Sequence, residues 1–381
     1  MENKVISSEN TTVSQKKDNV QRIYFPELDG LRFLAFLIVF LHHHPLLSKI
    51  PGLSFIYSYG YIGVDLFFAL SAFLFTKLLI AEFQKTNTIS FKKFYIRRIF
   101  RIWPIFFLFI IFSVGCHLFF KGPIDNYTAL RIFGFFTFSD NIFSAIYGFS
   151  ELPYTSHLWT ITYEEQFYIF IPLIILFLVR TTMKNKMILL FSIIILFSIL
   201  RIFIIDNQDA LSEIWVLPIT RFESIILGIV IGFGGFDFLT KRINANIIAI
   251  IAILFAVSLS LWEYIEGFKY WLTILSLFIG LATSLFLFAV IKSEFLKKIF
   301  SINVLVYLGK RSYGLYLYHM LGLEVGKIMV KKISFLPAND IMTFIISMTF
   351  TIVVSIISYK IIETPFLKIK KRFEVIVSRP I

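Results

Sequence analysis

The feature that most limits what this chain can become is a recurrence of apolar stretches about 20 residues long, separated by short polar loops. A helix needs ~20 such residues to cross the ~30 Å hydrocarbon layer of a bilayer. Lipid offers no partner to backbone N–H and C=O groups. Crossing segments must satisfy those groups internally, and continuous apolar runs do so as helices. The charge content agrees: 16% of the 381 residues are charged, where a soluble domain carries roughly 25%. The sequence therefore predicts an all-α polytopic membrane protein in contact with a lipid bilayer.

About ten spans can be placed, at roughly 30–48, 60–81, 102–120, 158–179, 187–205, 219–236, 245–262, 270–291, 312–330 and 340–359. Lys and Arg concentrate in cytoplasmic loops. The densest basic cluster, Lys85 to Arg101 with Lys92, Lys93, Arg97 and Arg98, therefore sets the orientation and predicts both termini to be cytoplasmic. Ten spans put nearly every basic loop on that side, with Lys331 and Lys332 as the main exception. The apolar segment 129–148 is interrupted by Gly134, Asp140 and Asn141 and is expected to be re-entrant or surface-lying. Counting it as a crossing would turn every later basic loop outward.

Residues 1–24 form a polar tail expected to be disordered, with no apolar core of a signal peptide, and 367–381 form a basic tail. The net charge of +13 resides mainly in loops between spans, which argues against a nucleic-acid partner. A single cysteine, Cys116, excludes an intrachain disulfide and a multi-cysteine metal site.

Ionisable groups inside apolar spans cost at least ~2.5–3.5 kcal/mol to insert, so they are functional candidates. Arg32 and His43 share the first span, eleven residues apart. That is three turns and roughly 16 Å of rise, so both lie on one helix face. An anion held at Arg32 and a proton moved at His43 would suit this pair; a snorkelling Arg and an interfacial His is the plainer reading. The triplet His42-His43-His44 leaves the working imidazole open, and three consecutive helical residues cannot converge on one metal ion. Arg98 and Arg101 share a helix face beside Arg97 and suit phosphate binding, although such a cluster also serves topology. Glu164 and Glu165 open the fourth span at the outer face, either as a helix start or as a carboxylate that activates an acceptor hydroxyl. Asp65, Arg221, Glu223 and His319 are further polar intrusions; Arg221 and Glu223, two apart, do not face each other.

These residues fall into ordered motifs: Glu27-Leu-Asp-Gly-Leu-Arg32 with His43, Gly63-Val-Asp65 to Ser71, Phe94 to Arg98-Ile-Phe-Arg101-Ile-Trp-Pro104, His157-Leu-Trp159 to Tyr168, Arg221 to Gly228, Ser312 to His319, and Glu363-Thr-Pro365. Together they resemble the membrane-bound acyltransferase 3 family of OafA/NodX-type O-acyltransferases, over about residues 22–368. Ala72 and Thr160 stand where that family usually has Gly and Ser. The extracellular hydrolase-like domain of some members is not expected here.

The resemblance implies an acyltransferase unit over 25–366 in a bacterial cytoplasmic (inner) membrane. It would move an acyl group, commonly acetyl from acetyl-CoA, to a hydroxyl of a cell-surface carbohydrate or similar acceptor. It implies catalytic roles for His43 and Glu164, donor binding by Arg32, Arg97, Arg98 and Arg101, acceptor contacts from Trp159, His319 and Asp65, and no metal. The rival expectation is a transporter or flippase using intramembrane His, Asp and Glu as a proton relay. The cytoplasmic Arg-x-x-Arg favours the acyltransferase, because an exporter has no need of a phosphate clamp there.

Overall fold

A computed structural model describes residues 23–50, 52–207, 214–259, 270–333, 337 and 339–378. The polar tail before residue 23 and the turn expected at 262–269 lie outside the described residues. Among the described residues sixteen α-helices follow in order: α1 Pro26–His42, α2 Ser54–Tyr59, α3 Ile62–Thr86, α4 Phe91–Phe120, α5 Asn126–Phe136, α6 Asp140–Tyr147, α7 Trp159–Val179, α8 Met183–Asn207, α9 Glu223–Gly232, α10 Ala245–Ser258, α11 Trp271–Lys292, α12 Glu294–Phe300, α13 Asn303–Gly309, α14 Ser312–Lys332, α15 Asp340–Ser358 and α16 Thr364–Lys371. A π-turn, Tyr359–Glu363, joins α15 to α16.

Among the described residues, six helices are long and apolar enough to cross a membrane: α3, α4, α7, α8, α11, and α15 together with its continuation to Lys371. Each remaining expected span also falls on a helix, although α9 and α10 are shorter. Burial divides centre from rim. The apolar window of α3 is 67% buried, whereas that of α8 is 11% buried and presents its side chains outward.

Two boundaries differ from the sequence expectation. The first helix ends at His42 because Pro45 forces the preceding His44 into an extended conformation (φ −118°, ψ 130°). The basic cluster before the third span is not a loop: it forms the opening turns of α4, which also runs through Pro104. Segment 129–148 resolves into α5 and α6, of 11 and 8 residues. Neither can cross a ~30 Å layer alone. A buried ion pair, Arg131 Nε to Asp140 Oδ1 at 2.9 Å, fastens one to the other.

Helices in lipid associate by close packing rather than by apolar burial, so small residues mark the contacts. Helix α1 shows this at backbone level. A Cβ on Gly30 would stand 1.9 Å from the Phe300 carbonyl oxygen, and one on Gly309 would stand 1.7 Å from the Asp29 carbonyl oxygen. Only glycine permits that approach. The contact fixes α1 against α12 and α13, and with it the Asp29–Arg32 pair described below.

Candidate active site

A cavity with about 1230 Å³ of empty space, including its solvent-open mouth, lies between α1, α3, α4, α7 and α14. Arg32, Arg98, Arg101 and Lys370 line it against two carboxylates, Asp29 and Glu164. Arg32 Nη1 pairs with Asp29 Oδ1 at 3.0 Å, which orients the guanidinium from within one helix turn. Arg98 and Arg101 have no ion pair among the described residues. The Arg98 guanidinium lies 4.4 Å from the Phe75 ring centre, and its buried Nε has no hydrogen-bond partner there. Two arginines three residues apart, facing the cavity with neither held in an ion pair among the described residues, provide planar donors for an anionic ligand.

Glu164 occupies the opposite wall. Its Oε1 accepts a hydrogen bond from the Ser71 hydroxyl at 2.6 Å. The sequence expectation placed Glu164 on the far side of the membrane from the arginines; the structure brings all three into one cavity. The reason is the packing of α7 on α4. Trp103 Nε1 donates to Glu165 Oε2 at 3.0 Å, and the Tyr95 hydroxyl donates to the Ile169 carbonyl at 2.7 Å. These bonds hold the first turns of α7 beside the arginine-bearing turns of α4.

Tyr316 and Thr160 line the same cavity and share a hydroxyl–hydroxyl hydrogen bond of 2.8 Å. Beyond Tyr316 three imidazoles gather. His319 and His157 each lie 5.3 Å from the Tyr316 ring; His157 lies 4.4 Å and His43 5.1 Å from His319. His43 Nδ1 is 2.9 Å from the Val39 carbonyl oxygen, and His319 Nδ1 is 2.6 Å from that of Tyr316. A carbonyl only accepts, so both Nδ1 atoms carry the proton and both Nε2 atoms are left with a lone pair. Nε2 is therefore the basic nitrogen of each ring.

The three imidazoles of the histidine triplet point in different directions. His42 turns to the Tyr57 carbonyl at 2.5 Å. His44 Nδ1 accepts from the Leu46 N–H at 3.1 Å and its ring stacks on Phe40. Of the three, His43 is the one that meets His319.

Several other expected site residues are engaged elsewhere. Arg97 points away from the cavity, with Nη2 3.4 Å from Glu82 Oε2 and Nη1 2.9 Å from the Phe373 carbonyl. Asp65 receives the Arg221 guanidinium through Nε and Nη2 and the Ser224 hydroxyl at 2.9 Å. Trp159 packs edge-on against Trp215, and both rings flank Arg221. Glu223 pairs with Arg201 instead of its near neighbour. His157 opens one of the motifs but was not singled out as a site residue. Both its ring nitrogens are buried without a hydrogen-bond partner among the described residues, as is His319 Nε2.

The sequence model of an acyltransferase domain, acyltransferase 3, matches residues 25–360. The chain belongs to the acyltransferase 3 family. Its cavity and imidazole cluster lie almost wholly within the matched residues. O-acetyltransferase OatA of Staphylococcus aureus (strain NCTC 8325 / PS 47) is 30% identical over 366 residues, covering 91% of this chain and 57% of its own length. A protein of strain COL, provisionally named O-acetyltransferase SACOL0978, is 31% identical over 377 residues, covering 91% of this chain and 58% of its own. The chain thus spans somewhat less than three-fifths of the length of these acyltransferase 3 relatives. No solved structure matches it significantly.

Proposed function

We propose that this acyltransferase 3 protein is a membrane O-acetyltransferase that takes acetyl from cytoplasmic acetyl-CoA and delivers it to a hydroxyl of a cell-surface carbohydrate or similar acceptor. The observation that carries the reading is the arrangement of Arg98 and Arg101, without an ion pair among the described residues, on one wall of a cavity whose inner end, at Tyr316, touches the His43–His319–His157 cluster. The relatives' names point the same way, since they specify acetyl transfer to oxygen. The reading includes about ten crossings of a bacterial cytoplasmic membrane, with both termini cytoplasmic and the acyltransferase unit over 25–366.

In this scheme Arg98 and Arg101 bind the coenzyme phosphates, which cannot enter the apolar membrane. Arg32, steered by Asp29, meets the donor further in. Glu164, held by Ser71, orients the arm as it passes, and the thioester reaches His43 beyond Tyr316. His43 Nε2 takes the proton from the acceptor hydroxyl as its oxygen attacks the thioester carbon. The C–S bond then breaks, and the departing thiolate receives that proton from the His43 imidazolium. The products are the acetyl ester and free coenzyme A. His319 lies beside the acceptor and helps to hold it.

Purified protein tests the reading through acetyl-CoA binding and acetyl transfer. Thermal stabilisation by acetyl-CoA is expected, together with ester formation on a glycan acceptor. No stabilisation at millimolar acetyl-CoA would favour the rival class, a transporter using the same buried groups as a proton relay.

A further inference from the structure

The mouth of the cavity is built by parts of the chain outside the family-matched core. Ile23 and Tyr24, just before the match, form one lip; Lys370 and Ser378, after it, form the other. Residues after 360 lie beyond the match, yet 366–378 are fastened to the body at several points. The Ile23 N–H donates to the Val377 carbonyl at 3.0 Å. Arg97 Nη1 donates to the Phe373 carbonyl at 2.9 Å, and Lys85 Nζ to the Val375 carbonyl at 3.4 Å. Phe100 lies with its ring nearly parallel to both Phe366 and Phe373, each at 6.3 Å, and Ile376 is buried. Lys370 Nζ stands 3.4 Å from Glu374 Oε1, which also accepts from the Ser378 hydroxyl at 3.3 Å. The segment is a strap with a turn in it, and its inner face borders the cavity.

We propose that this strap completes the donor site: Lys370 supplies a further cation for the phosphates of the acyl donor, and Arg97 serves the donor only indirectly, by fastening the strap. The proposal rests on the acetyl-CoA reading above. It replaces one phosphate contact expected from sequence, Arg97, with another that sequence did not suggest. The physical ground is direction. Both cations have a carboxylate neighbour at 3.4 Å, Glu82 for Arg97 and Glu374 for Lys370, but Lys370 lines the cavity that Arg98 and Arg101 share and Arg97 does not. A phosphate-bearing ligand entering there passes between α4 and the strap. Anion affinity at such a mouth depends on the summed nearby cations and falls with salt.

The test uses the full chain and two probes, acetyl-CoA and its phosphate-free analogue S-acetylpantetheine, with dissociation constants measured by calorimetry. Lys370→Ala is expected to weaken acetyl-CoA by about five- to tenfold, roughly 1–1.4 kcal/mol, and to leave S-acetylpantetheine unchanged. Arg97→Ala is expected to weaken acetyl-CoA in the otherwise native chain. In a chain whose strap is already loosened by Phe373→Ala and Ile376→Ala, Arg97→Ala should add no further loss. Additive losses would mean that Arg97 touches the ligand directly and would overturn its indirect role. An unchanged ratio of the two affinities in Lys370→Ala would overturn the fourth cation. If Lys370→Ala folds poorly, Lys370→Gln gives the same reading with the stem retained. Failure of the unaltered protein to bind acetyl-CoA at all would remove the donor reading, and this proposal with it; binding without a Lys370 effect removes this proposal alone.

Discussion

The Ser71 hydroxyl donates to Glu164 at 2.6 Å, joining α3 to α7 across 93 residues of sequence on the wall of the arginine-lined cavity. A carboxylate fixed in this way presents its remaining lone pairs in a defined direction. Glu164→Gln keeps the shape and removes the charge, and is expected to lower acetyl-transfer kcat by about 10²-fold, the scale of loss when a reactant is misplaced by about 1 Å. Ser71→Ala leaves the carboxylate in place but unsteered and should cost about tenfold or less. Steady-state kinetics on the two variants checks the order; equal effects would mean that Ser71 does more than aim Glu164.

His43 should be far more sensitive than its neighbours. His43→Ala removes the proposed base and is expected to reduce kcat by about 10²–10⁴-fold, with a stability loss no larger than that of its two neighbours. His42→Ala and His44→Ala lose one local hydrogen bond each, a stability effect of about 1 kcal/mol, and should retain most of their turnover. Activity surviving in a folded His43→Ala protein would end the catalytic assignment.

Arg98→Ala and Arg101→Ala are expected to raise KM for acetyl-CoA by about tenfold each, with little change in kcat. Removing uniform binding has that kinetic signature. The wild-type KM should also rise with ionic strength, and less steeply in each variant, because fewer cations then face the phosphates. Measuring KM across a salt series separates this from a folding defect.

Asp65 and Arg221 predict a stability pattern rather than a kinetic one. Asp65→Ala strands a buried guanidinium and should destabilise the protein by about 3–5 kcal/mol. Replacing both partners, with Asp65→Leu and Arg221→Met, should recover a large part of that loss, because no unpaired charge remains. Denaturation in detergent provides the comparison. A double variant no better than Asp65→Ala would argue that the pair does more than neutralise itself.

Much of this architecture is legible in the sequence because lipid punishes the wrong residue so strongly. Apolar length located the helices, and the expense of a buried charge directed attention to Arg32, His43, Arg98 and Glu164. What could not be read was partnership. Asp65 was assigned to a substrate because its counter-ion, Arg221, lies 156 residues away. Arg97 and Arg98 are adjacent, and neighbours on a helix point about 100° apart; composition alone cannot say which one faces a cavity. His157 was missed because a lone histidine before a helix has many uses. Only the fold shows its ring 4.4 Å from His319. Pro45, by contrast, was a visible stop signal that the expected first span ran through.

Helix α1 has a consequence of its own. Arg32 rides on this rod and His43 caps its end, its N–H still donating to the Val39 carbonyl at 3.2 Å, while the close backbone approaches of Gly30 to Phe300 and of Gly309 to Asp29 clamp the base. A helix does not stretch, so the interval between the guanidinium and the imidazole, roughly 16 Å along the axis, is a ruler. In the proposed scheme, a donor gripped by its charged end would be gauged against that length, and selectivity for the carrier would be set by geometry before any bond is broken.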